Sequence, residues 1–412
     1  MKLTPTEGMR DYLPGENAVR DRLLERIRAV YRANGFRSIE TPAAESLEHL
    51  ENSDGGENLK LIYRLEKRGD KLKKAIEAGD FDHLCDLGLR YDLTLPLSRY
   101  YAAHRNDLES PFKCIQIGRD YRAERPQKGR LREFVQCDID ILGSESMDCE
   151  VELITVTAEA LLAVGIDDFR VRVNHRALLR NLIAGCGFAP ESADSVCITV
   201  DKADKIGFDG VKAELLEKEF APEAAEKLTA LLQEGLTLET LASFGSEAEA
   251  AQIAALLEQT NALSDGRYEV LFDATLVRGQ GYYTGTVFEI ECPSFGGTVA
   301  GGGRYDNLIG KFCGGTVPAV GFSIGFERIF SVLWERGAAA AESKPREVLF
   351  YDEGQVAEAI RYARTLHADF DVTLVQKKKK VGKQLAQAEA QGYRYAEFLE
   401  TRGERKELTI TN

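Results

Sequence analysis

Residues 135–141 alternate with period two. Val135, Cys137, Ile139 and Ile141 point one way, and Gln136, Asp138 and Asp140 point the other. That pattern predicts a half-buried strand. A second β-prone run, with Phe112, Cys114 and Ile117, lies upstream, so the two strands flank a charged loop. Helical spacing of Leu23, Leu24, Ile27, Val30 and Tyr31 predicts a helix over Asn17–Asn34, ended at Gly35, where a left-handed cap is common. Phe36–Pro42 reads as a strand stopped by proline. Residues 55–68 read as a strand with charged flanks, and 69–86 as a polar loop with a short helix. Glu150–Val164 is predicted helical, and Phe169–Asn174 is an alternating strand.

From about His175 to Gly266 the pattern becomes helical, with no strand signal longer than Val196–Val200. Strands return with Tyr268–Val277, and Pro318–Arg328 reads as a strand running into a helix from Gly325 to about Arg336. Residues 337–345, GAAAAESKP, form a low-complexity linker. Beyond it, strands at Val348–Tyr351, Val372–Val375 and Ala396–Leu399 alternate with helices at Val356–His367 and Val381–Ala390. This βαβα order predicts a small parallel sheet.

At 412 residues, two or three domains are expected. Apolar content of 44% and charged content of 29% are those of a soluble globular protein. A net charge of −14 argues against a general nucleic-acid coat protein, while leaving room for local basic patches. The 8 Cys form no CxxC pair, so no zinc site is expected. The N-terminal stretch lacks the apolar core of a signal peptide, and no run approaches a membrane span, so a cytosolic protein is expected.

The charged loop carries Arg119, Arg122, Glu124, Arg125, Lys128, Arg130 and Arg132. Its cations repel one another unless an anion sits among them, and arginine offers a planar fork matched to phosphate or carboxylate. Gln136 and Asp140 beside such a loop suit a ligand with both anionic and cationic groups, such as an amino acid carrying a nucleotide phosphate. Asp92 and Thr94 precede a helix that Pro96 helps start, so an N-cap is the alternative to a binding role. Ala300–Asp306, AGGGRYD, invites a phosphate-loop reading, but no GxxxxGK[ST] is present. Close backbone packing against a ligand ring fits those glycines better. Lys377–Lys380, with Lys383, are a reasonable phosphate contact in an acidic protein.

The segment FKCIQIGRDYRAERPQKGRLREFVQCDIDILG, residues 112–143, resembles motif 2 of the class II aminoacyl-tRNA synthetases in its histidyl form. The helix, Gly35 and strand ending at Pro42 resemble motif 1, and Pro318–Arg328 resembles motif 3. LRYDLTLPLSRY resembles the family's segment for the amino group of histidine. RGQGYYTGTVFE (278–289) and AGGGRYD resemble its two histidine motifs. Gln280-Gly281 stand where the usual motif has Leu-Asp, so any role of that carboxylate has no bearer here.

The resemblance implies an α+β fold, with an antiparallel sheet flanked by helices. The implied domains are a catalytic domain over 1–336 with a helical insertion at about 176–266, a linker at 337–345, and an anticodon-binding-like α/β domain over 346–412. That last domain is at the short end for the family. Also implied are a homodimer built through motif 1, and ATP with Mg²⁺, L-histidine and histidine tRNA as substrates. The implied reaction makes histidyl-adenylate and transfers histidine to the 3′ end of the tRNA, with no protein nucleophile and no tightly bound metal. By the same resemblance, Asp92 and Thr94 accept from the substrate ammonium. Arg122 bridges the substrate carboxylate and the ATP α-phosphate, Glu124 lies near adenine, and Arg130 lies near the outer phosphates. Gln136 and Asp140 line the amino-acid pocket. Arg278 supplies charge at the α-phosphate, and Tyr283 faces the imidazole with Tyr282 close by. Tyr305 lines the pocket, and Arg328 stacks on adenine and meets the phosphates. Arg122, Arg278 and Arg328 are thus expected to converge on one phosphorus. The rival is a non-catalytic, synthetase-like regulatory subunit of histidine biosynthesis. The presence of all three arginines and of a C-terminal α/β domain weighs against it.

Overall fold

The computed structural model describes residues 3–51, 56–127, 129–200, 202–277, 281–337 and 344–409. The chain divides into two compact units, at Ala338 and Ala339. The strands of the first are β1 (Arg37–Ser38), β2 (Ala44–Ser46), β3 (Arg64–Glu66), β4 (Cys85–Leu89), β5 (Phe112–Tyr121), β6 (Glu133–Leu142), β7 (Arg170–His175), β8 (Glu269–Phe272), β9 (Thr286–Cys292), β10 (Gly297–Arg304) and β11 (Ala319–Gly325).

Eight of these form the main sheet, in the order β1-β5-β6-β11-β10-β9-β7-β8. The hairpin of β5 and β6 runs in register from Phe112↔Leu142 to Tyr121↔Glu133. The interior is antiparallel as expected, but both edges are not: β1 pairs parallel with β5, and β8 pairs parallel with β7. Parallel neighbours need a long crossover. Between β7 and β8 that crossover is the helical insertion, from Arg176–Gly185 to Glu247–Leu263.

One face of the sheet carries the core. Val135, Cys137, Ile139 and Ile141 of β6 pack into one apolar cluster with Ile27 and Tyr31 of the helix Pro14–Ala33, Ile154 and Leu161 of the helix Asp148–Val164, and Phe326 of the helix Phe326–Glu335. The alternation therefore holds, but the polar face is not a solvated one. Asp138 and Asp140 are 4% and 3% exposed, which puts two carboxyls inside the protein at a desolvation cost.

Several local expectations change. The strand after Gly35 is only two residues long, Arg37–Ser38, and further on the Thr41 carbonyl accepts from Arg90 Nη1 at 2.6 Å instead of from a neighbouring strand. Residues 55–68 hold a 3₁₀ turn, Gly56–Leu61, and then the short β3 in a separate sheet β2-β4-β3. Val196–Val200 lies within the helix Ala193–Val200. The strand expected at Tyr268–Val277 ends at Phe272, where Asp273 Oδ1 accepts from Thr275 N at 2.8 Å and turns the chain out of the sheet. The glycines of AGGGRYD sit in the central strand β10, not in a loop. A Cβ on Gly302 would stand 2.0 Å from the Gly321 carbonyl oxygen, so the glycine also lets the neighbouring strand come close.

In the second unit β12 (Arg346–Tyr351), β13 (Asp371–Gln376), β14 (Tyr395–Phe398) and β15 (Lys406–Glu407) form a sheet ordered β13-β12-β14-β15. The first three are parallel, and β15 adds an antiparallel edge. Lys377 is already committed to Asp352 at 2.7 Å and Glu400 at 2.6 Å. Of the lysine run it is therefore poorly placed for a phosphate.

Candidate active site

A cleft opens over the polar face of β6, between the charged hairpin loop, β10, β11 and the helix that starts at Thr94. Asp92, Thr94, Arg122, Glu124, Arg130, Gln136, Asp140, Tyr282, Tyr283, Tyr305 and Arg328 all line it. Arg278 lies outside the described residues, so the expected convergence of three arginines reduces here to Arg122 and Arg328 on one cavity.

Each side chain is held by the fold beneath it. Asp92 does two things at once. Its Oδ1 accepts from Leu95 N at 3.1 Å, as a cap would. Its Oδ2 is buried and has no hydrogen-bond partner among the described residues. Arg122 is aimed by its Nε, which donates to Tyr91 O at 2.9 Å, and by Nη2, which donates to Gln136 Oε1 at 3.3 Å. Its guanidinium lies 4.9 Å from the Phe134 ring centre. Gln136 Nε2 donates to Ser323 Oγ at 2.7 Å on the neighbouring β11. Asp140 Oδ1 accepts from the Tyr305 hydroxyl at 2.7 Å, while Oδ2 is buried without a partner among the described residues. The rings of Tyr282 and Tyr283 are 4.8 Å apart, and Tyr305 meets Tyr282 edge-on at 6.0 Å.

At the other end, Arg328 Nη1 donates to Thr298 O at 2.7 Å and its Nε to Gly129 O at 3.4 Å, which ties it to the hairpin loop. Arg130 pairs with Glu124 at 3.7 Å. One end of the cleft is therefore acidic and aromatic, and the other is cationic.

Two acidic lining residues, Asp138 and Glu327, escaped the sequence reading as site residues. Asp138 lies between Gln136 and Asp140 on the same face, so the period of two already placed it there. Glu327 left no such trace. It accepts from Arg20 Nη2 at 2.7 Å and from Val135 N at 2.8 Å, and Arg20 is remote in sequence. That buried pair braces the N-terminal helix against the start of the helix bearing Arg328.

Burial dominates the electrostatics. It pushes the Asp138 carboxyl up to about 7, against hydrogen bonds from Ser323 and Gln136. It raises Asp92, opposed by the Leu95 amide and Arg122. It raises Asp140 further, helped by the neighbouring Asp138 and opposed by the Tyr305 hydroxyl. Such a group of acids is relieved by a bound cation or by N–H donors. The two unpartnered oxygens of Asp92 and Asp140 are where those donors fit.

A family model described as histidyl-tRNA synthetase matches residues 8–329. The chain is 46% identical over 366 residues to the histidine–tRNA ligase of Leifsonia xyli subsp. xyli, covering 85% of this chain and 84% of that one. It is 35% identical over 408 residues to the histidine–tRNA ligase of Rhodopirellula baltica, covering 95% and 88%. Among solved structures, histidyl-tRNA synthetase from Nostoc sp. PCC 7120 superposes with a TM-score of 0.77 at 28% identity, over 96% of this chain and 91% of that one. A Bacillus halodurans C chain described as an ATP phosphoribosyltransferase regulatory subunit/histidyl-tRNA synthetase gives 0.78 at 22% identity, over 97% and 98%, a likeness of fold.

Proposed function

The chain belongs to the histidyl-tRNA synthetase family, and on that premise we propose that it is a histidine–tRNA ligase working through the cleft above β6. The histidine carboxylate attacks the α-phosphorus of ATP. The new C–O–P bond forms as the bond to pyrophosphate breaks, leaving histidyl-adenylate. The terminal ribose hydroxyl of histidine tRNA then attacks the acyl carbon, and AMP leaves with the bonding pair.

No protein nucleophile is needed. The residues position two substrates and stabilise charge. Asp92 Oδ2 and Thr94 take the ammonium, while Asp140, Tyr282, Tyr283 and Tyr305 surround the imidazole. Gln136 and Arg122 hold the carboxylate, and Arg122 also reaches the α-phosphate together with Arg278. Glu124 faces adenine, and Arg130 and Arg328 meet the nucleotide, which arrives with Mg²⁺ as part of the substrate. The single observation that carries this reading is the pair of buried carboxylate oxygens on Asp92 and Asp140, unpartnered among the described residues, in the cleft that Arg122 also lines.

We further propose a homodimer built on the segment from the N-terminal helix to Pro42, and a cytosolic location. Among the described residues no helix is long and apolar enough to cross a membrane. The test is charging of purified histidine tRNA with labelled histidine. Charging that requires ATP is expected; a purified, folded chain that charges no histidine tRNA overturns the proposal.

A further inference from the structure

Arg176 joins the helical insertion to the paired-tyrosine segment. Arg176 follows β7 and opens the helix Arg176–Gly185. Its backbone N donates to Gly285 O at 3.0 Å. Its Nη1 donates to Tyr283 O at 2.9 Å and to Gly281 O at 3.2 Å. One residue therefore holds alternate carbonyls of the segment that carries Tyr282 and Tyr283. The β7–β9 ladder ends at His175↔Thr286, and beyond it the guanidinium takes the place of strand amides. On its other side, Nη2 donates to Asp194 Oδ1 at 3.3 Å. Asp194 belongs to the next helix of the insertion, Ala193–Val200, and also accepts from Arg180 at 2.6 Å. The Arg176 side chain is only 15% exposed, whereas that of Asp194 is 65% exposed.

A cationic donor shared among carbonyls is a strong, directional clamp. The segment it grips leaves the sheet before β9, where ladder bonds no longer set its path. Its further backbone bond, Thr284 N to Arg304 O at 2.7 Å, lies on the β10 side. We propose that Arg176 is a positioning residue for the amino-acid pocket, and that Asp194 makes the helical insertion the element that sets it. A displacement of the insertion helices is then passed to Tyr282 and Tyr283 by way of the clamp. The link to histidine affinity rests on the functional reading above; the clamp itself does not.

The test uses the full chain with Arg176→Gln, Arg176→Lys and Asp194→Asn. In histidine-dependent ATP–pyrophosphate exchange, Arg176→Gln is expected to raise the KM for histidine about tenfold, the loss of one or two hydrogen bonds to a charged donor. The KM for ATP should stay within about twofold of wild type, and Arg176→Lys should fall between. Amide deuterium exchange should accelerate over residues 281–288 and stay unchanged over β11. Wild-type histidine KM and wild-type exchange over 281–288 overturn the proposal, and so does an equal rise in both KM values. If Arg176→Gln does not fold, Asp194→Asn decides on the same two readouts: a rise in both supports the clamp, and wild-type values overturn it. A wild-type chain with no histidine-dependent activity removes the functional reading instead, and the deuterium comparison still decides the clamp.

Discussion

Tyr305 donates its hydroxyl proton to Asp140 Oδ1 at 2.7 Å, and both side chains are buried. This bond fixes the carboxylate so that Oδ2 is the oxygen left for a ligand. Tyr305→Phe removes the donor and keeps the ring. The expected outcome is a rise of about tenfold in the KM for histidine, the usual worth of one hydrogen bond to a charged group, with the KM for ATP unchanged. Steady-state exchange kinetics with each substrate varied would check it.

Gly321 faces Asp140 across β6 and β11. A Cβ at that position would stand 1.8 Å from Asp140 Oδ1, so any side chain there moves the carboxylate. Gly321→Ala should lower kcat/KM for histidine by about 10², the cost of a displacement near 1 Å in a positioned site. Circular dichroism alongside the kinetics would separate this from unfolding. Near-normal activity would show that Asp140 is not a substrate contact.

Asp138 gives a pH dependence with a definite sign. Burial raises its carboxyl to about 7, so between the ordinary carboxylate range and about 7 the folded chain binds a proton that the unfolded chain has lost. Stability therefore falls as pH rises through that window. Asp138→Asn removes the penalty. Its thermal midpoint should exceed wild type at about pH 8, with the difference vanishing toward about pH 4. Midpoints measured for both chains across that range test the sign.

Arg304 stands inside AGGGRYD, yet its guanidinium is spent on structure. Nε and Nη2 grip Glu150 at 2.7 and 2.6 Å, and both residues are buried. Arg304→Met would leave Glu150 without its cation and should cost about 3–5 kcal/mol. Urea denaturation would measure the loss, while the KM for ATP of the remaining folded enzyme should be unchanged.

Much of this architecture could be read from short-range pattern. The alternation from Val135 to Ile141 placed the core and the floor of the cleft together, because a strand shows its two faces residue by residue. The C-terminal βαβα order was legible for the same reason. What the pattern missed depends on partners remote in sequence. Arg90 takes the Thr41 carbonyl, Arg20 holds Glu327, and the parallel edge at β8 depends on the whole insertion acting as a crossover. Val196–Val200 reads as strand-like by composition but packs as a helix, where Val196 and Val200 are buried among the insertion's apolar side chains. The site residues came from motif resemblance, and only the folded chain shows which oxygens of Asp92 and Asp140 are left without a partner among the described residues.

On the proposed function, the cleft above β6 joins histidine to ATP. Pyrophosphate exchange into ATP, measured with each standard amino acid in turn, tests it most directly. Exchange is expected with histidine alone, reduced by about 10² or more in Arg122→Ala, the loss typical when a charge-stabilising donor is removed. Comparable exchange with several amino acids, or full activity in Arg122→Ala, would contradict it.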